Sequence, residues 1–328
     1  MSKIVITGGC GYIGSHISRA LKKANTKNQV FVIDSVRRDH TLKDINGYLI
    51  DDFSSKQSLL WIEKLEPDVI VHCAGSSLVG KSVSDPSEYY NNNISKTEKL
   101  LSFVKDFNKL PLMLFSSSAS VYGNPSKIPI IEDDPKIPIS PYGFSKFVIE
   151  RMFQDYNNAY NLPSICFRYF NAAGAEPFNY DLGQSPGASH IIANILEAKL
   201  NNKPFVLNGK DFNTPDHTCI RDYVHVWDIA NAHVLAINWG LSREEKIAIS
   251  VNLGSKNGIS NQEIINYIKD EYGGVEVTVG DRRAGDPDSL VADSTLAYNL
   301  LKWKPEYSTI EQIVDSAYQW YTTWYKLN

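Results

Sequence analysis

The sequence opens with Lys3-Ile-Val-Ile-Thr-Gly-Gly-Cys-Gly-Tyr-Ile-Gly14, a short apolar run that leads into a glycine-rich turn. Gly8, Gly11 and Gly14 follow one another at GxxGxxG spacing. A strand followed at once by a helix places such glycines where a sharp turn, a close backbone approach and tight helix packing need them. The first turn of that helix offers free N–H groups to phosphate. The stretch therefore predicts a dinucleotide-binding turn.

A carboxylate stands where the second strand of this unit should end. Asp34 comes 20 positions after Gly14. A carboxylate there accepts hydrogen bonds from the adenosine ribose hydroxyls and repels a 2′-phosphate, which favours NAD over NADP. Arg37 and Arg38 lie close by and weaken that preference. A structural turn beside a solvated Asp is the alternative interpretation.

The first half of the chain alternates short apolar runs with longer amphipathic stretches. Runs rich in Val and Ile predict buried strands at 4–6, 30–33, 69–71, 112–115 and 165–167. Amphipathic helices are predicted at 13–24, 57–65, 87–107 and 142–160. Alternating strands and helices with right-handed crossovers predict a doubly wound parallel sheet of the Rossmann type.

This rhythm ends after Asn171. The segment 172–189 is rich in Gly, Pro and Asn, which predicts a long loop. Helices are predicted beyond it at 191–200, 261–271 and 309–324. We expect two domains. One is an NAD-binding domain over 1–174, to which the segment around 224–255 returns, and the other is a smaller α/β substrate domain over 175–328.

The composition is that of an ordinary globular protein. The chain has 328 residues, of which 43% are hydrophobic and 21% charged, with a net charge of −4 and no basic block. Disorder and nucleic-acid binding are therefore not expected. No apolar run approaches the roughly 18 residues of a membrane span, and the Met-Ser-Lys start is not a secretory signal. We expect a cytoplasmic protein without a membrane partner.

The four cysteines, Cys10, Cys73, Cys166 and Cys219, are far apart in the sequence. No CxxC pair or Cys/His cluster accompanies them. This pattern favours free thiols in a reducing compartment, with zinc as the weaker alternative, so no metal is expected.

A second motif, Tyr142-Gly-Phe-Ser-Lys146, opens the helix predicted after Pro141. Tyr and Lys at i and i+4 project from the same helix face. The ammonium and the positive charge of an oxidised nicotinamide favour the phenolate, so we expect the pKa of Tyr142 to be lowered. Tyr142 could then take a proton from a substrate hydroxyl while hydride leaves the same carbon. Lys146 would reach the nicotinamide ribose. A bare surface pair is the alternative.

A serine-rich stretch, Phe115-Ser-Ser-Ser118-Ala-Ser120-Val-Tyr-Gly123, follows a predicted central strand. The carboxyl ends of strands in such sheets face the ligand crevice. The Ser118 hydroxyl could therefore pass the proton between substrate and Tyr142.

Further stretches carry a resemblance along the chain. They are GGCGYIGSH (8–16), VIVHCAG (69–75), VGKSV (79–83), EYYNNN (88–93), SSSASVYG (116–123), SPYGFSK (140–146), RYFNAAGA (168–175), HTCIRDYVHVWDIA (217–230) and RRAGDP (282–287). Together, in this order, they resemble the extended short-chain dehydrogenase/reductase family and, within it, the UDP-glucose 4-epimerases. The resemblance covers essentially the whole chain.

The resemblance implies a set of site residues. The catalytic set would be Tyr142, Lys146 and Ser118. The cofactor contacts would be Gly8, Gly11, Tyr12, Ile13, Gly14, Asp34, Asp52, Phe53, Cys73, Ala74, Gly75, Asn92, Ser116, Tyr142, Lys146 and Tyr169. The contacts to the UDP-sugar would be Ser118, Ser120, Tyr142, Asn171, His190, Ile191, Asn208, Arg221, Arg283 and Asp286. Arginine suits this role because its planar fork grips phosphate oxygens, although surface salt bridges would otherwise explain Arg221 and Arg283.

The implied reaction interconverts UDP-glucose and UDP-galactose. Tyr142 removes the proton of the sugar C4 hydroxyl while hydride passes to tightly held NAD. The transient 4-keto sugar turns over and takes the hydride back on its opposite face. The resemblance also suggests a homodimer through the helices at 87–107 and 142–160.

Three positions depart from the commonest epimerase pattern. Ser77 stands where many members carry a lysine, which puts retention of the cofactor in question. His190 occupies a position that is often Asn. Leu290 lies where residue size is thought to control access of N-acetylated sugars.

Several rival activities share these motifs. UDP-N-acetylglucosamine, UDP-glucuronate or a UDP-pentose could be the substrate of the same 4-epimerisation. Sugar-nucleotide 4,6-dehydratases need an Asp-Glu pair where this chain has Ala119-Ser120, so dehydration is not expected. A non-catalytic dinucleotide-binding regulator is the alternative of another class, and the presence of Tyr142 and Lys146 argues against it.

Overall fold

The computed structural model describes residues 1–282 and 286–327. Its strands, in chain order, are β1 (Lys3–Thr7), β2 (Gln29–Asp34), β3 (Gly47–Ile50), β4 (Val69–His72), β5 (Leu112–Ser118), β6 (Ser164–Tyr169), β7 (Asn171–Ala173), β8 (Phe205–Asn208), β9 (Ile220–His225), β10 (Ala248–Leu253), β11 (Gly258–Ser260), β12 (Val277–Gly280) and β13 (Ser289–Leu290).

Eleven α-helices lie among the described residues. They are α1 (Tyr12–Ala24), α2 (Lys56–Leu65), α3 (Val79–Ser84), α4 (Pro86–Tyr89), α5 (Lys96–Val104), α6 (Pro141–Tyr160), α7 (Ile191–Leu200), α8 (Val226–Leu241), α9 (Asn261–Tyr272), α10 (Thr295–Leu301) and α11 (Ile310–Leu327). A π-helical turn, Tyr90–Ser95, joins α4 to α5.

Seven parallel strands form the main sheet, in the spatial order β3-β2-β1-β4-β5-β6-β10. Successive side chains of a strand point to opposite faces. On β1, Ile4 and Ile6 join a core with Trp227 of α8, whereas Val5 joins Phe153 of α6 in the core on the other face. Both faces are covered by helices, which is why these strands are almost uniformly apolar. The expected doubly wound parallel sheet is confirmed.

The strand order reverses between β1 and β4, and ligands of such sheets bind at the carboxyl ends next to that reversal. The turn after β1, the end of β2 and the ends of β4 and β5 therefore border one crevice. The chain segments that carry the predicted site residues meet at this edge.

A smaller α/β part contains most of the remaining elements. Strand β9 lies between β11 and β13 and also pairs with β7, while β8 pairs with β12. Helices α7, α9 and α11 supply its core, in which Ile195, Ile264 and Val314 are fully buried. Helix α8 begins directly after β9 and packs on α1. The chain then adds β10 to the edge of the main sheet.

The predicted strands and helices are all present. Strand β3, strands β7 to β13 and helices α3, α8 and α10 were not predicted individually. The helix predicted at 87–107 is divided by the π-helical turn into α4 and α5. Helix α8 is apolar around much of its circumference because it lies between the two parts of the molecule, so it lacks a clear amphipathic period.

None of the described helices combines the length and the apolar character that a membrane crossing requires. Within 1–282 and 286–327, no group of three His, Cys, Asp or Glu side chains is arranged to hold a metal ion.

Candidate active site

Each of the three glycines in the first turn is required for a different steric reason. Gly8 has a φ of +71°, and a Cβ there would lie 2.6 Å from the backbone nitrogen of Ala74. A Cβ on Gly14 would collide with the carbonyl oxygen of Gly8. A Cβ on Gly11 would meet only that carbonyl oxygen, at 3.1 Å, so its outer side is open. The backbone at Gly11 can thus be approached closely, which is what a pyrophosphate in this turn requires. Tyr12 and Ile13 begin α1 directly behind it.

Asp34 ends β2 beside this turn. Its carboxylate accepts hydrogen bonds from the backbone N–H groups of Cys10, at 2.9 Å, and Val36, at 3.0 Å. Two backbone donors fix the carboxylate at the edge of the crevice. The residue is therefore positioned to accept hydrogen bonds from a ribose there.

Asp52 and Phe53 follow β3 at the same edge of the sheet. Asp52 forms an ion pair of 2.6 Å with Lys96 and accepts a hydrogen bond from the backbone N–H of Ser54. Phe53 is buried against His72, with ring centroids 4.9 Å apart. The ion pair and the hydrogen bond fix the Asp52 carboxylate, and burial against His72 fixes the Phe53 ring.

Side chains at the ends of β4, β5 and β6 are connected by hydrogen bonds and form the floor of the crevice. The Ser116 hydroxyl lies 3.1 Å from the Cys73 sulfur and 3.0 Å from the Tyr169 hydroxyl. Burial raises the pKa of Cys73 to about 11, so the thiol is neutral. Ala74 and Gly75 continue from Cys73, and Gly75 has a φ of +151°.

Tyr142 and Lys146 project from the first two turns of α6 towards the end of β5. Ser140 caps this helix by accepting a hydrogen bond from Gly143 N–H at 3.1 Å, with Pro141 in the first position, where its missing N–H costs nothing. The Lys146 ammonium is buried, donates to the carbonyl oxygen of Ser116 at 2.8 Å and lies 5.7 Å from the centre of the Tyr142 ring. The structure thus brings the Tyr142–Lys146 motif into contact with the serine-rich stretch at the end of β5.

Ser118 is the last residue of β5 and lies beside Tyr142. Its hydroxyl accepts a hydrogen bond from the backbone N–H of Ser120 at 3.2 Å. Burial raises the pKa of Tyr142, and the neighbouring Ser118 hydroxyl opposes that rise. Burial also lowers the pKa of Lys146 to about 8. In the protein alone the pKa of Tyr142 is raised because burial dominates and the ammonium is directed at a carbonyl oxygen; the lowering expected with a bound oxidised nicotinamide stays a prediction.

A second group of predicted residues lies in the smaller part of the molecule. Arg221, on β9, is 7% exposed, and its guanidinium is 3.7 Å from the Asp286 carboxylate. Asn171 begins β7 and is paired in register with Tyr223 of β9. This group forms a polar wall on β7 and β9.

The other predicted substrate contacts are placed on neighbouring elements. His190 precedes α7 and Ile191 is its first residue, and the Nδ1 of His190 is 2.6 Å from the Gln184 amide nitrogen. Asn208 ends β8. Arg283 lies outside the described residues.

The chain that builds this geometry is similar to known proteins over nearly its whole length. Residues 4–254 match the NAD dependent epimerase/dehydratase family. The chain belongs to that family. A UDP-glucose 4-epimerase of Halalkalibacterium halodurans is 39% identical to it, over 97% of this chain and 95% of that protein.

Solved structures of epimerase/dehydratase family members superpose over nearly the whole chain. The structure of UDP-glucose 4-epimerase from Brucella ovis in complex with NAD has a TM-score of 0.90 at 36% identity and covers 97% of this chain and 98% of its own. That of UDP-glucose-4-epimerase from Stenotrophomonas maltophila, with bound NAD and formylated UDP-arabinopyranose, has a TM-score of 0.92 at 28% identity and covers 100% of both chains. The family resemblance inferred from the motifs is therefore confirmed.

Within this epimerase/dehydratase site, the structure adds Asn93, which the sequence did not single out. Its side chain is 1% exposed, accepts from the backbone N–H of Ser76 at 2.8 Å and donates to the Ser145 hydroxyl at 2.9 Å. It joins the loop after β4 to the residue before Lys146. The predicted Asn92 instead donates to the Ser76 hydroxyl at 3.2 Å. Three consecutive asparagines gave no signal as to which one faces inward, since the π-helical turn decides that.

Leu290 lies on the wall of this site. It is paired in register with Arg221 and packs, half-buried, on the apolar cluster that contains Phe170 and Ala119. The residue thus connects the group around Arg221 with the end of β5.

Proposed function

We propose that this protein is an NAD-dependent isomerase, a 4-epimerase that interconverts UDP-glucose and UDP-galactose through a transient 4-keto sugar. One observation carries the proposal: Tyr142, Lys146 and Ser118 meet at the end of β5, in the crevice beside the glycine turn. The names of full-length relatives, such as the enzymes of Halalkalibacterium halodurans and Brucella ovis, support the substrate.

The residues at the first turn fit NAD. The open side of Gly11 would receive the pyrophosphate, and the Asp34 carboxylate would accept from the adenosine ribose. Further contacts would come from Asp52, Phe53 and the floor around Ser116. When bound, NAD supplies a hydride acceptor that returns the same hydride.

Tyr142 would hold and move the proton of the C4 hydroxyl. Because burial keeps its phenol neutral in the protein alone, it needs nearby positive charge to act as a base. Lys146 provides one such charge, and its bond to Ser116 holds the ammonium in the crevice. The Ser118 hydroxyl, next to the phenol, would pass the proton between substrate and Tyr142.

The substrate diphosphate would be held by Arg221 on β9, with Asn171 beside it and Asp286 on the nucleoside side. Arg283 would add a second guanidinium. A diphosphate held in this way leaves the hexose ring free to turn over, so that both faces of C4 can be presented to the same side of the site. An epimerase that returns hydride to the opposite face requires this freedom.

We also infer which part of the chain binds the cofactor and which part binds the substrate. Residues 1–174, with the segment around 224–255, would form the NAD-binding domain, and 175–328 the UDP-sugar domain. The packing of α8 on α1 and the addition of β10 to the main sheet support the return of that segment.

A homodimer in the cytoplasm is the assembly and location that we propose. The two helical stretches of the suggested interface carry exposed aromatic side chains, Tyr90 and Phe144, whose ring centroids lie 6.1 Å apart. The four cysteines are free, which suits a reducing compartment. Light scattering of the purified protein tests the dimer.

Incubation with UDP-galactose tests the activity directly. We expect conversion to UDP-glucose with no net consumption of NAD. Chromatography of the nucleotide sugars measures the conversion. Parallel incubations with UDP-N-acetylglucosamine, UDP-glucuronate and a UDP-pentose define the substrate range. Binding of NAD without conversion of any UDP-sugar would instead indicate a dinucleotide-binding regulator.

A further inference from the structure

A cavity of about 220 Å³ opens over the outer side of the glycine turn. On one side it is lined by the turn itself, including Gly11 and Tyr12, and by Arg38 and His40 of the loop after β2. On the other side lies the segment 183–188. This segment belongs to the long loop that was predicted at 172–189.

Arg38 brings an unneutralised positive charge to this cavity. Its guanidinium is half-buried and donates to the carbonyl oxygen of Cys10 at 3.2 Å. The neighbouring carboxylates are engaged elsewhere, since Asp34 accepts from two backbone N–H groups and Asp39 pairs with Arg37 at 2.6 Å. Among the described residues, Arg38 forms no ion pair, and it is the one Lys or Arg that lines the cavity.

The segment 181–188, here called the strap, is fastened to both parts of the molecule. At its start, Asp181 pairs with Arg19 of α1 at 3.0 Å and with Lys43 of the loop after β2 at 2.9 Å. In its middle, the carbonyl oxygen of Gln184 accepts from the Trp320 indole of α11 at 2.8 Å. The strap is thus held across the cavity from two directions.

We propose that Arg38 is a cofactor-binding residue that contacts the pyrophosphate of the dinucleotide, and that the strap closes over it and retards its release. The inference rests on the proposed function and deepens it. A planar guanidinium that lacks a carboxylate partner suits the two adjacent anionic groups of a pyrophosphate.

Arg38→Gln tests the contact, with Arg37→Gln as the matched control, because Arg37 is the adjacent, exposed arginine that pairs with Asp39. Calorimetric titration with ADP and with adenosine separates the phosphates from the nucleoside. We expect Arg38→Gln to weaken ADP binding at least tenfold and to leave adenosine binding within twofold, while Arg37→Gln changes neither. Equal losses for ADP and adenosine, or no loss for ADP, would overturn the contact.

Arg38→Lys is the second variant. Lysine keeps the positive charge but lacks the paired N–H donors of the planar guanidinium. The affinity of Arg38→Lys for ADP should therefore lie between those of the wild type and Arg38→Gln. Circular dichroism and the melting temperature check that each variant folds. An affinity equal to that of Arg38→Gln would contradict a role for the charge.

Asp181→Asn tests the strap, because it removes both ion pairs at once. We expect bound NAD to exchange against labelled NAD at least fivefold faster than in the wild type, with ADP affinity reduced by less than threefold. Asp134→Asn is the control, since that residue also pairs with a lysine but lies elsewhere. An unchanged exchange rate would reject the strap. These readouts need no turnover, so they stand apart from the test with UDP-galactose.

Discussion

Lys146 donates a hydrogen bond of 2.8 Å to the backbone carbonyl oxygen of Ser116, across 30 residues of sequence, and so ties the start of α6 to the end of β5. The bond fixes the ammonium inside the crevice, where its distance to the centre of the Tyr142 ring is 5.7 Å. Without it, the lysine could extend towards solvent. The arrangement places a cation and a proton carrier side by side.

The activity should fall as pH rises through about 8. Burial lowers the pKa of Lys146 to about 8, so the group is charged below that pH and loses its charge above it. We expect kcat/KM to decrease by about tenfold for each pH unit above the pKa. In Lys146→Arg the guanidinium stays charged above about pH 8, so the decrease of kcat/KM should move to higher pH even where the absolute rate is low. The pH profiles of both proteins check this, and identical profiles would contradict the assignment.

Replacement of Tyr142 by Phe should remove turnover and leave the fold intact. Loss of a general acid–base group costs about 10²- to 10⁴-fold in rate. The control is Tyr89→Phe. The Tyr89 ring lies 6.4 Å from that of Tyr142, but its hydroxyl donates to the carbonyl oxygen of Leu78 at 2.6 Å instead of facing the crevice. Initial rates with UDP-galactose and circular dichroism are measured together. Turnover by Tyr142→Phe within tenfold of the wild type would rule out its role.

Asn93→Ala should destabilise the protein by about 2–4 kcal/mol, because it removes the three hydrogen bonds that this buried side chain makes with half-buried Ser76 and with buried Ser145. Asn91→Ala, at an exposed position two residues earlier, should change the free energy of unfolding by less than about 0.5 kcal/mol. Urea unfolding of both variants tests the difference. If the two variants were equally stable, Asn93 would not be the link between these segments.

Glu150 and Arg168 form a buried ion pair of 2.6 Å below the site. Glu150→Ala strands the guanidinium in the interior and should cost about 3–5 kcal/mol of stability. The double variant Glu150→Leu/Arg168→Met removes both charges and should lose less than the single variant. Thermal unfolding of the three proteins gives the comparison, and a larger loss in the double variant would show that the pair is net stabilising.

Asp34→Asn should reduce the preference for NAD over NADP by at least tenfold, since the amide oxygen can still accept from one of the two backbone N–H groups but the neutral side chain no longer repels a 2′-phosphate. Asp39→Asn is the control, because this exposed carboxylate pairs with Arg37. Affinities for both dinucleotides are measured by titration. An unchanged ratio in Asp34→Asn would argue against the ribose contact.

The local motifs were readable along the chain because their chemistry resides in neighbouring residues. The GxxGxxG turn, the Tyr142/Lys146 pair and the serines after β5 each need only a short stretch with the correct helix or strand around it. The alternation of strands and helices likewise depends on local periodicity. For these reasons the doubly wound sheet and the family can be predicted from the sequence by itself.

Other features depend on residues that are distant in sequence. The inward rotation of Asn93, the return of β10 to the main sheet and the meeting of Arg38 with the strap follow from packing between segments up to about 150 residues apart. The raised pKa of Tyr142 is of the same kind, because desolvation depends on everything that surrounds a group. A one-dimensional pattern records which groups are present. Their burial and their partners arise when the folded chain brings distant segments into contact.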